Sequence, residues 1–114
     1  MENKVVSMFS VGICRRAEIT GTTRYARFAL SGTKTPFKTT YTVILERLGD
    51  PFRIEGTKVR KAELQGSAQK VYTDSELVID TMVRAFPNLG PQYSELKVSL
   101  REHIEEIAYA IGDR

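Results

Sequence analysis

The apolar positions along the chain recur with two different periods, and the change comes near Tyr72. Before it, two stretches alternate apolar and polar residues, as half-buried strands do: Arg24–Ser31 and Lys38–Leu48. Between them, Gly32–Phe37 has turn chemistry, because glycine adopts positive φ easily and Pro36 has no amide hydrogen to donate. The alternation therefore predicts a β-hairpin in the middle of the chain.

Three further segments have weaker strand patterns: Val5–Ile13, Ala17–Thr23 and Lys58–Tyr72. The second of these is short and Thr-rich, so a turn or a brief strand fits it equally well. The third contains Gly66, which is expected to bend it or to mark a bulge. Gly49–Thr57 is bounded by turn residues and is predicted to be a loop.

After Tyr72 the pattern becomes helical. "TDSE" (Thr73–Glu76) has the form of a capping box, and Pro87 is expected to end the helix that it starts. A second helix is predicted from about Tyr93, with an apolar stripe on one face: Leu96, Leu100, Ile104, Ile107 and Ile111. Strands followed by two helices predict an α+β domain, in which an antiparallel sheet has C-terminal helices on one face only. The other face is then left to solvent or a partner.

Charge is distributed unevenly around a formal net charge of +3. Residues 1–72 contain 13 Lys or Arg against 6 Asp or Glu, whereas residues 73–114 contain 4 against 8. A basic strand-rich part and an acidic helical part predict a polarised molecule with a basic uncovered sheet face, which favours nucleic acid on that side. Many basic proteins bind nothing specific, so a merely solvated face is the alternative.

The predicted uncovered face has hydroxyl, amide and cationic side chains, which suit phosphates and base edges: Arg27, Ser31, Lys38, Thr40, Thr42, Lys61 and Gln65. Tyr25 is assigned to the same strand face as Arg27, where its ring can stack on a base while the cations bind phosphates. These residues predict an RNA-binding sheet face.

Residue types for catalysis or metal binding are sparse. His103, the only histidine, lies in "REHIEEI", which is not the HExxH zinc pattern, and it is expected on the surface or flank of its helix. Cys14 has no histidine nearby in sequence to act as its base and is expected to be a partly buried structural thiol. The chain has one cysteine, no long apolar run and no signal-peptide pattern. We expect a soluble intracellular protein that is not an enzyme and needs no cofactor or metal.

Residues 24–86 resemble the coat proteins of single-stranded RNA bacteriophages. The segment "KAELQGSAQKVYTDSELVIDTMVRAF" (Lys61–Phe86) is similar to the last long strand and first helix of that family, with "EL" in the strand and "TDSELVI" at the helix start. The segment "RYARFALSGTKTPFKTTYTVILE" (Arg24–Glu46) is similar to the family's central hairpin, including a G-x-K-T-x-aromatic connection.

The resemblance implies an intertwined homodimer, in which two sheets join and the helices of each subunit lie over the sheet of the other. It further implies an icosahedral virion, assembled in the cytoplasm of a bacterial host, whose sheets face packaged RNA and bind an RNA stem-loop. Carried over by position, the RNA-facing residues are Arg27, Ala29, Ser31, Lys38, Thr40, Thr42, Lys61, Glu63 and Gln65. The loop Gly49–Thr57 corresponds to one that contacts neighbouring subunits, here through Asp50, Pro51, Phe52 and Arg53.

The N-terminal part departs from the family pattern. Only about 23 residues precede the first strand of the hairpin, so the N-terminal hairpin of the family is expected to be shortened or absent. Ile44 also occupies an RNA-facing position where a basic residue would suit RNA better. The alternative function is a small dimeric nucleic-acid-binding regulator of viral or mobile-element origin that forms no shell.

Overall fold

The structure, a computed structural model, describes the backbone of residues 3–113 and the side chains of residues 6–10 and 12–113. Its strands and helices follow in this order: β1 Asn3–Val11, β2 Cys14–Thr22, β3 Ala26–Lys34, β4 Thr39–Arg47, β5 Phe52–Ile54, β6 Thr57–Val59, β7 Lys61–Gly66, α1 Ala68–Ala85 and α2 Gly90–Ala110. A short 3-10 turn, Pro87–Leu89, joins the two helices. The predicted α+β order of strands first and two helices last is confirmed.

Five of the strands form one antiparallel sheet in the order β1-β2-β3-β4-β7, and β5 pairs with β6 in a separate hairpin. α2 packs on β2 and β3, whereas α1 packs on β4, β5 and β7. The core lies between these helices and the sheet, where Phe28, Val43 and Leu45 are at most 2% exposed. Helices therefore cover one face of the sheet, as predicted, and the opposite face is open.

The apolar stripe of α2 packs against the sheet as its spacing predicts. Leu96, Leu100, Ile104, Ile107 and Ile111 are all buried. Only part of the apolar run of α1 is buried: Val78, Ile79 and Met82 are buried, whereas Leu77 is 61% exposed. Helix α1 thus has a narrower buried face than its run of apolar residues suggests.

Polar contacts of β4 reach the C-terminal end of α2 and the junction between the two helices. At the C-terminal end of α2, the Tyr41 hydroxyl donates to Asp113 Oδ2 at 2.6 Å, and burial raises the pKa of Tyr41. At the junction between the helices, the guanidinium of Arg47 in β4 lies 3.4 Å from the centroid of the ring of Phe86, which follows α1, and it donates to the Asp50 carbonyl at 2.5 Å. Burial also raises the pKa of Tyr93 nearby, with Arg47 opposing the shift. These contacts connect β4 to the segments that flank the two helices.

The predicted start of the first helix is wrong. Gly66 ends β7 at φ +151°, and the extended Ser67 caps α1 by accepting a hydrogen bond from the Lys70 amide at 3.1 Å. The proposed capping box Thr73–Glu76 lies inside the helix, where Ser75 Oγ donates to the Val71 carbonyl at 2.5 Å. Ser67 provides the cap at the true start of the helix, where the first backbone amides lack acceptors within the helix. The segment Thr73–Glu76 has similar capping residues but lies inside the helix.

Three loop and strand boundaries also differ from the prediction. Ala17–Thr23 belongs almost entirely to β2, because pairing with β1 on one side and β3 on the other supplies the hydrogen bonds that a short segment lacks alone. Gly32 to Lys34 extend β3, so the turn comprises Thr35 to Lys38. The loop Gly49–Thr57 contains β5 and the start of β6.

His103 is not on the surface, contrary to expectation. It is 7% exposed and stacks on Phe28, with ring centroids 5.6 Å apart and planes 24° apart. Its Nδ1 lies 3.4 Å from Glu106 Oε2. His103 borders Leu100 and Ile104 on the helix, so the buried arc of α2 is wider than its apolar stripe. Cys14 is half-buried, as expected.

We expect Ser67→Ala to lower the free energy of unfolding by about 1 kcal/mol, because the free amide of Lys70 would lose its side-chain acceptor. Thr73→Ala is the matched control, and we expect it to change stability by less than about 0.5 kcal/mol. Urea unfolding of the two variants measures the difference. A larger loss for Thr73→Ala would mean that the helix begins at the later site.

Candidate nucleic-acid interface

The open face is the sheet face opposite the helices, and alternate residues of each strand point from it. Residues that lie directly opposite each other on neighbouring strands share a face. In β2, β3, β4 and β7 this pattern assigns the following residues to the open face: Arg16, Glu18, Thr20, Thr22, Arg27, Ala29, Ser31, Thr33, Thr40, Thr42, Ile44, Glu46, Lys61, Glu63 and Gln65. Hydroxyl, amide and charged side chains therefore dominate this surface.

Most of the predicted RNA-facing residues lie together on the open face. Ser31, Thr42 and Gln65 form one row across β3, β4 and β7. Ala29, Ile44 and Glu63 form the next row of the open face. Arg27, Glu46 and Lys61 form the row after that, at the end of the sheet away from Thr40. Thr40 lies at the other end of the same face, opposite Thr33. The strand register thus brings eight predicted RNA-facing residues onto one surface: Arg27, Ala29, Ser31, Thr40, Thr42, Lys61, Glu63 and Gln65.

Tyr25 does not share a strand face with Arg27, so that assignment is wrong. β3 begins at Ala26, and Tyr25 lies in the preceding turn, where its amide donates to Thr23 Oγ1 at 3.3 Å. The tyrosine packs partly buried against the core and lines a small pocket with Leu96 of α2. Strand alternation does not extend into a turn, which is why it misplaced this ring. Lys38 lies in the turn after β3, exposed at the end of the sheet.

The open face is not basic, contrary to the expectation from the charge split. Within β2, β3, β4 and β7 its three cations each lie near a carboxylate of the same face. Arg16 Nη2 is 2.6 Å from Glu18 Oε1, Arg27 Nε is 3.2 Å from Glu46 Oε1, and Lys61 Nζ is 3.8 Å from Glu63 Oε1. All six side chains are at least one-third exposed, so these pairs are weak and an RNA phosphate can compete for the cations.

Much of the positive charge lies in the β5–β6 hairpin and at the ends of the sheet. Arg53 and Lys58 are directly opposite each other and both exposed, an arrangement of like charges that destabilises an isolated strand pair. Arg60 follows them, with its Nε donating to the Gly49 carbonyl at 3.0 Å. A sum of charges along the sequence cannot distinguish these positions from the open face, because it ignores which way each side chain points.

The four residues predicted to contact neighbouring subunits divide between core and surface. Phe52 is 2% exposed and belongs to the core of its own chain, so its side chain is not available to a neighbour. Asp50 and Arg53 are exposed, and Pro51 is half-buried. Phe52 is buried because β5 packs against α1.

The sequence reasoning missed two exposed aromatic side chains at one end of the sheet. Phe9 lies on β1 directly opposite Arg16, so it shares the open face, and it is 49% exposed. Phe37 is 94% exposed in the turn between β3 and β4. The alternation within β1 is the signal that places Phe9 on this face once the pairing with β2 is known.

The part of the chain that the structure describes contains no group of three or more His, Cys, Asp or Glu residues able to hold a metal ion. None of the helices within residues 3–113 is long and apolar enough to cross a membrane. Comparison of the chain with known proteins found no matching family model, no matching curated protein and no matching solved structure.

Proposed function

We propose that this chain is the coat protein of a single-stranded RNA bacteriophage, which assembles as dimers into an icosahedral shell and packages RNA against the open face. The observation that carries the proposal is a sheet with helices on one face and a polar row of Ser31, Thr42 and Gln65 on the other. A shell protein needs two surfaces of different character, one for the genome and one for the outside. The resemblance of residues 24–86 to that family supports the same reading.

The edge strand β7 supports a dimer. It lies at one end of the five-stranded sheet, and no strand among residues 3–113 pairs with its outer edge, which can therefore pair with a second copy. An antiparallel pairing centred on Ala62 would place Lys61 of each copy opposite Glu63 of the other. Because the contact is two-fold, it places the same Lys and Glu opposite each other twice. Pairing of the two edges would join two sheets into one continuous sheet.

The hydrogen-bonding capacity of the open face supports RNA as its ligand. Hydroxyl groups and amides donate to phosphate oxygens and base edges, and the cations are exposed enough to exchange a carboxylate for a phosphate. Because each cation already has a carboxylate nearby, we expect electrostatic attraction on this face to be modest. Lys38 has an exposed position beyond these pairs, at the end of the sheet.

The double variant Lys38→Ala/Lys61→Ala is expected to weaken RNA binding and to reduce its salt dependence. Each lost phosphate contact removes roughly 0.7–0.9 from the slope of log K against log salt concentration. Filter binding at several salt concentrations measures this slope. Lys70→Ala is the control, since Lys70 lies on α1 and pairs with Asp74 at 2.9 Å. An unchanged slope in the double variant, or unfolding of that variant, would contradict the assignment of these residues.

Electron microscopy of the purified recombinant protein tests the shell. We expect closed particles with an absorbance at 260 nm that shows copurified RNA, and the protein's own spectrum is simple because the chain contains no Trp. A dimer that binds RNA but forms no particle would favour the regulator that binds nucleic acid without a shell. A protein that neither binds RNA nor forms particles would overturn both functions.

A further inference from the structure

One end of the sheet has two exposed aromatic rings, Phe9 and Phe37, and two exposed cations, Arg16 and Lys38. Phe9, Arg16, Thr33 and Thr40 lie directly opposite one another in a row across β1, β2, β3 and β4. With strands 4.7–4.9 Å apart, this row spans about 14 Å. The turn that contains Phe37 and Lys38 lies at the same end of the sheet, immediately before β4, the strand of Thr40. We call Phe9, Arg16, Phe37 and Lys38 the aromatic corner.

The turn holds the backbone of Phe37 in a defined conformation. Thr35 Oγ1 accepts hydrogen bonds from the amides of Phe37 and Lys38, each at 3.2 Å, and the Thr35 amide donates to the Lys38 carbonyl at 2.9 Å. Pro36 restricts the backbone between them. The ring is nevertheless 94% exposed. Because the turn already orders the backbone, a ligand that covers the ring has only the two side-chain torsions of Phe37 to order.

Arg16 is held beside Phe9 in a similar way. Its Nη1 donates to Thr33 Oγ1 at 2.9 Å, and its Nη2 lies 2.6 Å from Glu18 Oε1. The planar guanidinium therefore has a fixed orientation, and the ring of Phe9 on the neighbouring strand is half-exposed. A phosphate that approaches Arg16 must compete with Glu18, whereas a base that stacks on Phe9 displaces only water.

We propose that unpaired RNA bases stack on Phe9 and Phe37 while Arg16 and Lys38 bind the flanking phosphates; this inference rests on the proposed function. Rings that alternate with cations match single-stranded nucleic acid, whose bases offer flat faces and whose backbone offers regularly spaced charge. Two aromatic corners facing each other would bring like charges together, which disfavours a second copy as the occupant. Duplex RNA has its bases stacked already and cannot use the rings.

The absence of Trp from the chain makes Phe37→Trp a direct reporter of stacking. A short unstructured RNA is expected to quench the fluorescence of this single Trp, and a duplex of the same length is expected to quench it much less. Leu77→Trp is the control, because Leu77 is 61% exposed on α1, away from the open face. Quenching equal to that of the control, or blue-shifted emission with anionic lipid vesicles and no response to RNA, would overturn the inference.

Affinity for the same single-stranded RNA provides a second test. Phe37→Ala and Phe9→Ala are each expected to weaken binding about 5- to 150-fold, the range for loss of one base–aromatic stack. Phe37→Tyr is expected to keep the affinity, whereas Phe37→Leu is expected to behave like Phe37→Ala because leucine is apolar but offers no ring. Full affinity in Phe37→Leu would point to a simple apolar contact and overturn the inference.

These tests separate the inference from the proposed function. If the unsubstituted protein packages RNA and the variants Phe9→Ala, Phe37→Ala and Phe37→Leu bind it equally well, the inference fails and the function stands. If the unsubstituted protein binds no RNA, the proposed function fails first. Phe37 contributes little to the core at its exposure, so its variants are expected to unfold at the same urea concentration as the unsubstituted protein.

Discussion

Leu100→Ala is expected to lower the free energy of unfolding by about 2–5 kcal/mol. Leu100 is 1% exposed, in the middle of the stripe that α2 places on the sheet. Truncation removes three carbon atoms from a site where the sheet on one side and the helix backbone on the other limit collapse into the cavity. Urea unfolding, with the transition followed by circular dichroism, gives the difference in free energy.

Val98→Ala is the matched control for that substitution. Val98 lies two residues earlier in the same helix but is 59% exposed, on the side away from the sheet. Alanine has the higher helix propensity, so we expect a change within about 0.5 kcal/mol of zero. Equal losses for the two variants would mean that α2 does not pack on the sheet through the face described above.

Gly32→Ala is expected to destabilise the protein by about 1–3 kcal/mol through overpacking. A Cβ at this position would lie 2.5 Å from Ile107 Cγ2, 3.1 Å from Tyr41 Cε2 and 3.2 Å from Ile111 Cδ1. The β-branch of Ile107 restricts its rotamers, so relief requires a shift of α2 away from β3. The backbone of Gly32 has no positive φ, so the effect is one of space and not of conformation.

A double-mutant cycle isolates this contact. Ile107→Ala removes the methyl group that the new Cβ would meet, so Gly32→Ala/Ile107→Ala is expected to be less destabilised than the sum of the two single variants. Thr33→Ala, the next residue on the same strand but on the open face, is the control for a change of strand propensity. Strict additivity in the cycle would contradict the close approach of α2 to β3.

The two helix ends illustrate why some boundaries are predictable and others are not. Pro87 stops a helix by its covalent structure alone, and α1 does end at Ala85. The start of α1 depends instead on where the chain leaves the sheet, and that is set by the pairing of β7 with β4 up to Gly66. Ser67 and Thr73 offer similar capping chemistry, so local sequence does not choose between them.

The candidate site likewise has some features that local sequence predicts and others that only the fold decides. Alternation along β3 and β4 suffices to predict that Ser31 and Thr42 lie on the face opposite Phe28 and Val43, since the two faces of a strand differ by one residue. The ion pairs that neutralise the charge of the open face cannot be predicted from alternation. Arg27 and Glu46 are far apart in sequence and meet only through the register between β3 and β4.

Amino-acid order was enough to predict the α+β class, the central hairpin and the buried stripe of α2, because each depends on a short-range period of apolar residues. Only the assembled sheet and helices decided three further features: the location of charge, the burial of His103 and Phe52, and the position of Phe9 opposite Arg16. These features depend on which strands become neighbours, and hydrophobic periodicity does not encode the identity of a neighbour. The fold therefore decides which aromatic and cationic residues become neighbours.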